Sequence, residues 1–384
     1  MLRSYVGLSC LLLLTASASA QPSDCNQPAS SAITQIEVPG HPFSAIPSAD
    51  GCSIFVSMTA RNGESKIAVI ARSGGVMSIV RTVAAPGQLR GLALNRDGNV
   101  LVAANGTGVA LFSTERLNSG AANAVLGVLS DGAGAGSIYV ALTADDHLLF
   151  VSDERSNSLS VYDFAGLLAG KTDKMIGQIR TSGAPVGLAF SPDGHRLYST
   201  SEVAPGERTC AAEGRGAAHP PGMLMVIDVA RSATHPADAV DVRVPAGCNP
   251  VRVAVSPEGD RVYVASRGSN AVQVFDADKL MSDRDHSLYT AVPVGQSPVG
   301  IAADQAHVFV ANSDRFGGGR HQSISFLDAR HLDGHAGNIP AGGFPRELRI
   351  TSDGKSLLVT NFESGSVELI DLERLAEFGS GREK

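Results

Sequence analysis

The chain contains no tryptophan, and aromatic side chains make up only 5% of its 384 residues, so flat platforms for stacking sugars or unpaired bases are scarce. Basic residues are outnumbered, 31 Lys and Arg against 38 Asp and Glu, giving a formal net charge of −7 that grows by one unit if the N-terminal segment carrying Arg3 is removed. That balance excludes a general nucleic-acid or anionic-membrane surface and leaves room only for a local basic site. Beyond the first residues, no apolar run approaches the ~18 needed to span a bilayer as a helix. No two cysteines stand in the C-x-x-C spacing of a zinc or redox site, and there is no G-x-S-x-G elbow, P-loop or H-E-x-x-H. His331 and His335 are four apart, but they fall in a Gly-containing loop without a Cys or carboxylate set to complete a shell. Neither a metal nor a cofactor is expected.

The sequence opens with what reads as a secretory leader over residues 1–20: Arg3 supplies the positive start, Val6 to Leu14 the apolar stretch, and Ala18-Ser19-Ala20 the small residues of a cleavage site. The expectation is one domain over 21–384, exported to the periplasm or secreted. Four cysteines then remain, Cys25, Cys52, Cys210 and Cys248, in a compartment that permits oxidation. Four cysteines allow three pairings.

The dominant feature is an internal repeat. Pro185-Val186-Gly187-Leu188-Ala189-Phe190-Ser191-Pro192-Asp193-Gly194 is matched nearly residue for residue by Pro250-Val251-Arg252-Val253-Ala254-Val255-Ser256-Pro257-Glu258-Gly259. The unit recurs from Pro345, Gly91, Pro42 and Pro298, with a degenerate copy from Ser137, which makes seven. Within each unit an Asp-Gly type dipeptide separates two short Val-, Leu- and Ala-rich runs, the signal of a β-hairpin. A polar loop follows, then a third strand ending in Asp, as in Val274-Phe275-Asp276 and Val161-Tyr162-Asp163, and a fourth leads into the next unit. Each unit is thus a four-stranded antiparallel meander of about 45 to 50 residues. Such a sheet cannot bury both of its faces alone, whereas seven arranged radially can: the pattern predicts an all-β, seven-bladed β-propeller. Ile33 to Val38 reads as an outer strand without inner partners, and Leu369 to Leu372 as a third strand without an outer one, so the N-terminal strand is expected to close the ring on the last blade.

Tyr263-Val264-Ala265-Ser266, Ser269-Asn270-Ala271-Val272-Gln273-Val274-Phe275-Asp276 and Val308-Phe309-Val310-Ala311-Asn312 resemble the YVTN-type repeat of secreted and surface proteins, in the lactonase-like propeller superfamily. The resemblance implies that loops joining outer to next inner strand, and second to third strand, share one face, the usual ligand face. Cys210 and Cys248 then fall on that face in neighbouring loops and are expected to pair, leaving Cys25 with Cys52 on the other. The insertion from Glu202 to Gly222, carrying Cys210 and His219, reads as a rim or partial lid over the ligand face.

Departures from the repeat mark residues that packing alone does not require. Arg252 occupies a Gly slot, Arg346 and Glu347 replace Val-Gly, Arg349 an Ala, and Arg90 stands at the corresponding place in the second unit. Near the mouth of a central channel these guanidinium groups would form a local anion site, with Asn249, Gln296 and His41 in the adjoining loops. Two functions follow. One is an exported binding or scaffold protein, a monomer, holding a small anionic molecule or a protein partner on its loop-rich face. The alternative, which the resemblance implies, is a lactonase-like hydrolase in which Glu347 or His41 acts as base and the arginines stabilise the oxyanion.

Overall fold

The computed structural model describes residues 25, 27, 30–59, 64–171, 175–204, 210, 221–315, 318–332 and 335–379. The leader and most of the 202–222 insertion, His219 included, lie outside them. Seven four-stranded antiparallel sheets follow one another around a ring. Their inner strands are His41–Pro47, Leu92–Leu94, Ser137–Leu142, Pro185–Phe190, Pro250–Val255, Pro298–Ala303 and Pro345–Ile350, in blades one to seven. The seventh blade takes its outer strand from the beginning of the chain: Ile33–Glu37 pairs antiparallel with Ser366–Asp371, Ile33 opposite Ile370 and Glu37 opposite Ser366.

The repeat has a local chemical cause. In the first hairpin of four blades a Ser or Thr hydroxyl donates to the Asp two residues on (Ser48 to Asp50, Thr143 to Asp145, Ser191 to Asp193, Thr351 to Asp353), and that carboxylate accepts the backbone N–H two residues further. The next residue, a glycine such as Gly194 at φ 73° in three of the four and Asp146 at φ 58° in the other, has the left-handed backbone the turn needs. The Asp that ends the third strand is a helix N-cap: Asp163, Asp228 and Asp276 each accept from the first turn of the short helix leading to the fourth strand.

Apolar burial is divided among the wedge interfaces. Phe55, Leu101 and Phe112 fill the space between blades one and two, Tyr198, Val226 and Phe275 that between four and five, and Ile54, Leu358 and Val367 the seam between the last blade and the first. A further cluster lies at the hub, where Phe43, Ile138, Tyr139, Val186, Val251, Val299 and Phe344 converge from the inner strands and their approaches. Disulfides join Cys25 to Cys52 and Cys210 to Cys248. No helix among the described residues is long and apolar enough to cross a membrane.

Candidate functional site

Six of the seven inner strands start with a bulge against their neighbour, blade two excepted, and the residue type at the third position decides what enters the hub. In blades four and six that position is Gly187 and Gly300, whose Cα lies so close to the next inner strand that a Cβ would come within 2.8 Å of Val251 O or 2.9 Å of Arg346 O. In blade five the position carries Arg252, in blade seven Glu347 and in blade three Tyr139, all buried. The irregular units therefore furnish the hub with its polar side chains.

Around the hub's mouth, on the face of the second-to-third-strand loops, lies a cavity of about 500 Å³ bordered by Phe43, Arg90, Arg252, Arg267, Arg315, Arg346, Glu154 and Glu202, among others. Five guanidinium groups meet two carboxylates there. Arg346 lies flat on Phe43, with Cζ 3.9 Å from the ring centroid, and is flanked at 5.5 Å by Phe344 and Phe362. Burial holds its pKa well below the usual arginine value, and the charges of Arg252, Arg315, Arg90 and Arg267 push it the same way. Arg252 lies on Tyr139, Cζ 3.8 Å from the centroid, and is only 6% exposed. None of its three guanidinium nitrogens has a hydrogen-bond acceptor. Burial lowers it to about 9, with Glu202 and Glu154 opposing, so it stays charged at neutral pH.

The other sequence candidates take different places. Asn249, at φ 50°, accepts from Arg267 Nε and Nη2 at 2.8 and 2.6 Å and donates to Glu202 Oε2 at 3.2 Å. It positions Arg267 and does not line the cavity. Gln296 is exposed and also outside the lining, with its backbone carbonyl accepting from Asp314 N–H. His41 stacks on Phe362 and its Nδ1 is 2.8 Å from Phe362 O, beside the cavity rather than in it. Glu347 sits behind the hub. It accepts from Ser44 Oγ at 3.4 Å, its Oε2 lies 3.9 Å from Arg252 Nε, and its Oε1 lies 3.6 Å from Arg349 Nη2. Burial raises its pKa to about 7 against the pull of Arg349. Arg267, Arg315, Glu154 and Glu202 were not singled out from sequence, although a shared position signals them: each follows closely on the second strand of its blade. His331 is exposed beside Asp328, and no group of three metal-ligating side chains occurs among the described residues.

A family model described as lactonase, 7-bladed beta-propeller matches residues 222–376, from the third strand of blade four through blade seven. Over that stretch the chain is similar to the lactonase family, and its fold is a seven-bladed propeller. No curated protein sequence matches it. Among solved structures it is similar to Kuenenia stuttgartiensis hydrazine synthase, at 18% identity and a TM-score of 0.64 over 88% of this chain and 97% of that one. It is similar also to a chain of a mitotic checkpoint complex, at 14% identity and a TM-score of 0.65 over 97% and 99%. At such identities the likeness concerns the propeller scaffold, on which unrelated functions are built. The propeller's own mouth must therefore carry the functional argument.

Proposed function

We propose that this propeller is an exported binding protein whose loop-rich face holds a small anion through Arg252, Arg346 and Arg90, with Arg267 and Arg315 on the rim. The observation that carries the reading is Arg252, a buried guanidinium with no acceptor on any nitrogen. A charge withdrawn from water without hydrogen bonds, with only the Tyr139 ring and a Glu347 carboxylate 3.9 Å away beside it, is costly, and a carboxylate or phosphate entering the cavity supplies acceptors in the fork geometry guanidinium favours. Asn249 contributes by holding Arg267. Two disulfides accord with an oxidising compartment, periplasmic or external. The Cys210–Cys248 bridge ties the insertion to the strand end just ahead of Asn249, as a rim over this face requires.

The test is calorimetry of the mature protein with inorganic phosphate and citrate at low and moderate salt. Binding that raises the thermal midpoint, and weakens at least tenfold in Arg346→Gln, is expected. No heat and no stabilisation with either anion would make the arginine cluster a packing feature.

A second reading, hydrolysis of a lactone, is favoured by the family match and by Glu347, whose pKa of about 7 suits a general base. Glu347 is not among the residues lining the mouth, which places binding first. Turnover of any lactone in a panel, abolished by Glu347→Gln at unchanged midpoint, reverses that order.

A further inference from the structure

Arg252 stands between two cavities at the centre of the ring. A second cavity of about 430 Å³ opens behind the hub, and Arg252 is the one residue that borders both. Its walls are apolar and come from all seven blades: Ile46, Leu94, Leu142, Phe190, Val253, Ile301 and Ile350. Its end toward the hub is polar. Tyr139, Arg252 and Glu347 are buried there, and Tyr139 Oη, all three Arg252 guanidinium nitrogens, Glu347 Oε2 and Arg349 Nε lack hydrogen-bond partners. Arg349 stands beside them, one-third exposed, its Nη2 3.4 Å from Leu92 O. Among the lining residues the charged groups are two guanidiniums and one carboxylate, so a positive charge is left uncompensated.

We propose that this rear chamber binds an aliphatic monocarboxylate, its chain against the apolar walls and its carboxylate at Arg349 beneath Arg252. An apolar pocket ending in a few convergent polar groups is the usual form of a small-molecule site. The excess charge selects an anion over an amine, and a single carboxylate makes a poor cation site. The face of Tyr139 that a sugar would stack on is covered by Arg252. Arg252 borders both cavities, but the rear carboxylate is assigned to Arg349, which does not line the mouth, and the two sites are tested by different probes.

The experiment titrates the intact mature protein with hexanoate, octanoate and decanoate at constant ionic strength. Affinity is expected to rise by up to about fourfold per buried methylene until the chamber is full. Ala141→Leu, which narrows the chamber from its wall, and Arg349→Gln are each expected to weaken octanoate at least tenfold. Arg349→Lys should recover part of the loss, and circular dichroism and thermal midpoints verify that every variant is folded. Affinity independent of chain length, or unaffected by both Ala141→Leu and Arg349→Gln, overturns the proposal and leaves the chamber to water. Failure of phosphate and citrate at the mouth would leave these outcomes as informative as before.

Discussion

Burying Glu347 beside Arg252 and Arg349 sets the direction in which pH acts through this side chain. Its folded-state pKa of about 7 lies above the ordinary 4.5. Below pH ~4.5 it is protonated folded or unfolded and its contribution is fully present. As pH rises toward about 7 the unfolded chain ionises first and that stability is lost, about 3 kcal/mol in all at 1.36 kcal/mol per unit. The stability of wild type minus that of Glu347→Gln, from chemical unfolding, should therefore fall between pH 4.5 and 7 and level off above. A difference that rises over that range would mean that the ion pairs, not burial, govern the group. Asp131, also raised to about 7 by burial and by Asp153, acts with the same sign but is common to both proteins and cancels. The arginines of the hub were legible because each breaks a repeat that otherwise accepts Val, Gly or Ala. The loop residues were less so: the direction of Gln296 depends on backbone turns such as Ser297 at φ 52°, which no side-chain pattern records.

The strands are joined across blades by a recurring hydroxyl. Thr200 Oγ1 accepts from Gly187 N–H at 2.9 Å and donates to Val251 O at 2.8 Å, tying the bulge of its own inner strand to the next blade. Ser152 does the same between Tyr139 and Val186, Ser57 between Ser44 and Arg90, and Thr360 between Glu347 and Phe43. Blades two, five and six have Ala104, Ala265 and Ala311 at the matching place. Replacing Thr200 by Val keeps the shape but leaves a buried N–H and a buried carbonyl short of partners, at about 1–3 kcal/mol. Chemical denaturation should show that loss for Thr200→Val and little for Thr200→Ser. Equal losses in the two variants would assign the effect to packing. The hairpins and third strands were readable from their Asp-Gly turns and terminal Asp, because those signals are local. The hydroxyl clamp was not, since its partners lie 51 residues apart at Thr200 and 317 at Thr360.

Ring closure is the step on which all seven wedges depend. Without Ile33–Glu37 the strand Ser366–Asp371 would present an open edge, a template for aggregation. The Cys25–Cys52 bridge ties the chain just ahead of that strand to the first blade across 27 residues. The Cys25→Ser, Cys52→Ser double variant is expected to lose about 2–4 kcal/mol by chain-entropy arithmetic, read as a lower thermal midpoint that reductant does not lower as far again. An unchanged midpoint would mean that strand pairing alone secures the closure.

The amino-acid pattern by itself determined the number of wedges, their meander topology, the strand that closes them and the identity of the misfit cations, because each of these is written in local periodicity or in a departure from it. Only the tertiary structure decided that Arg252 stands between two cavities, that loop residues of blades three to six join the mouth, and that Glu347 borders the rear one. Those facts arise where chain segments hundreds of residues apart are brought together, as Ser44 and Glu347 are across 303 residues, and a repeat carries no record of which of its exceptions will meet.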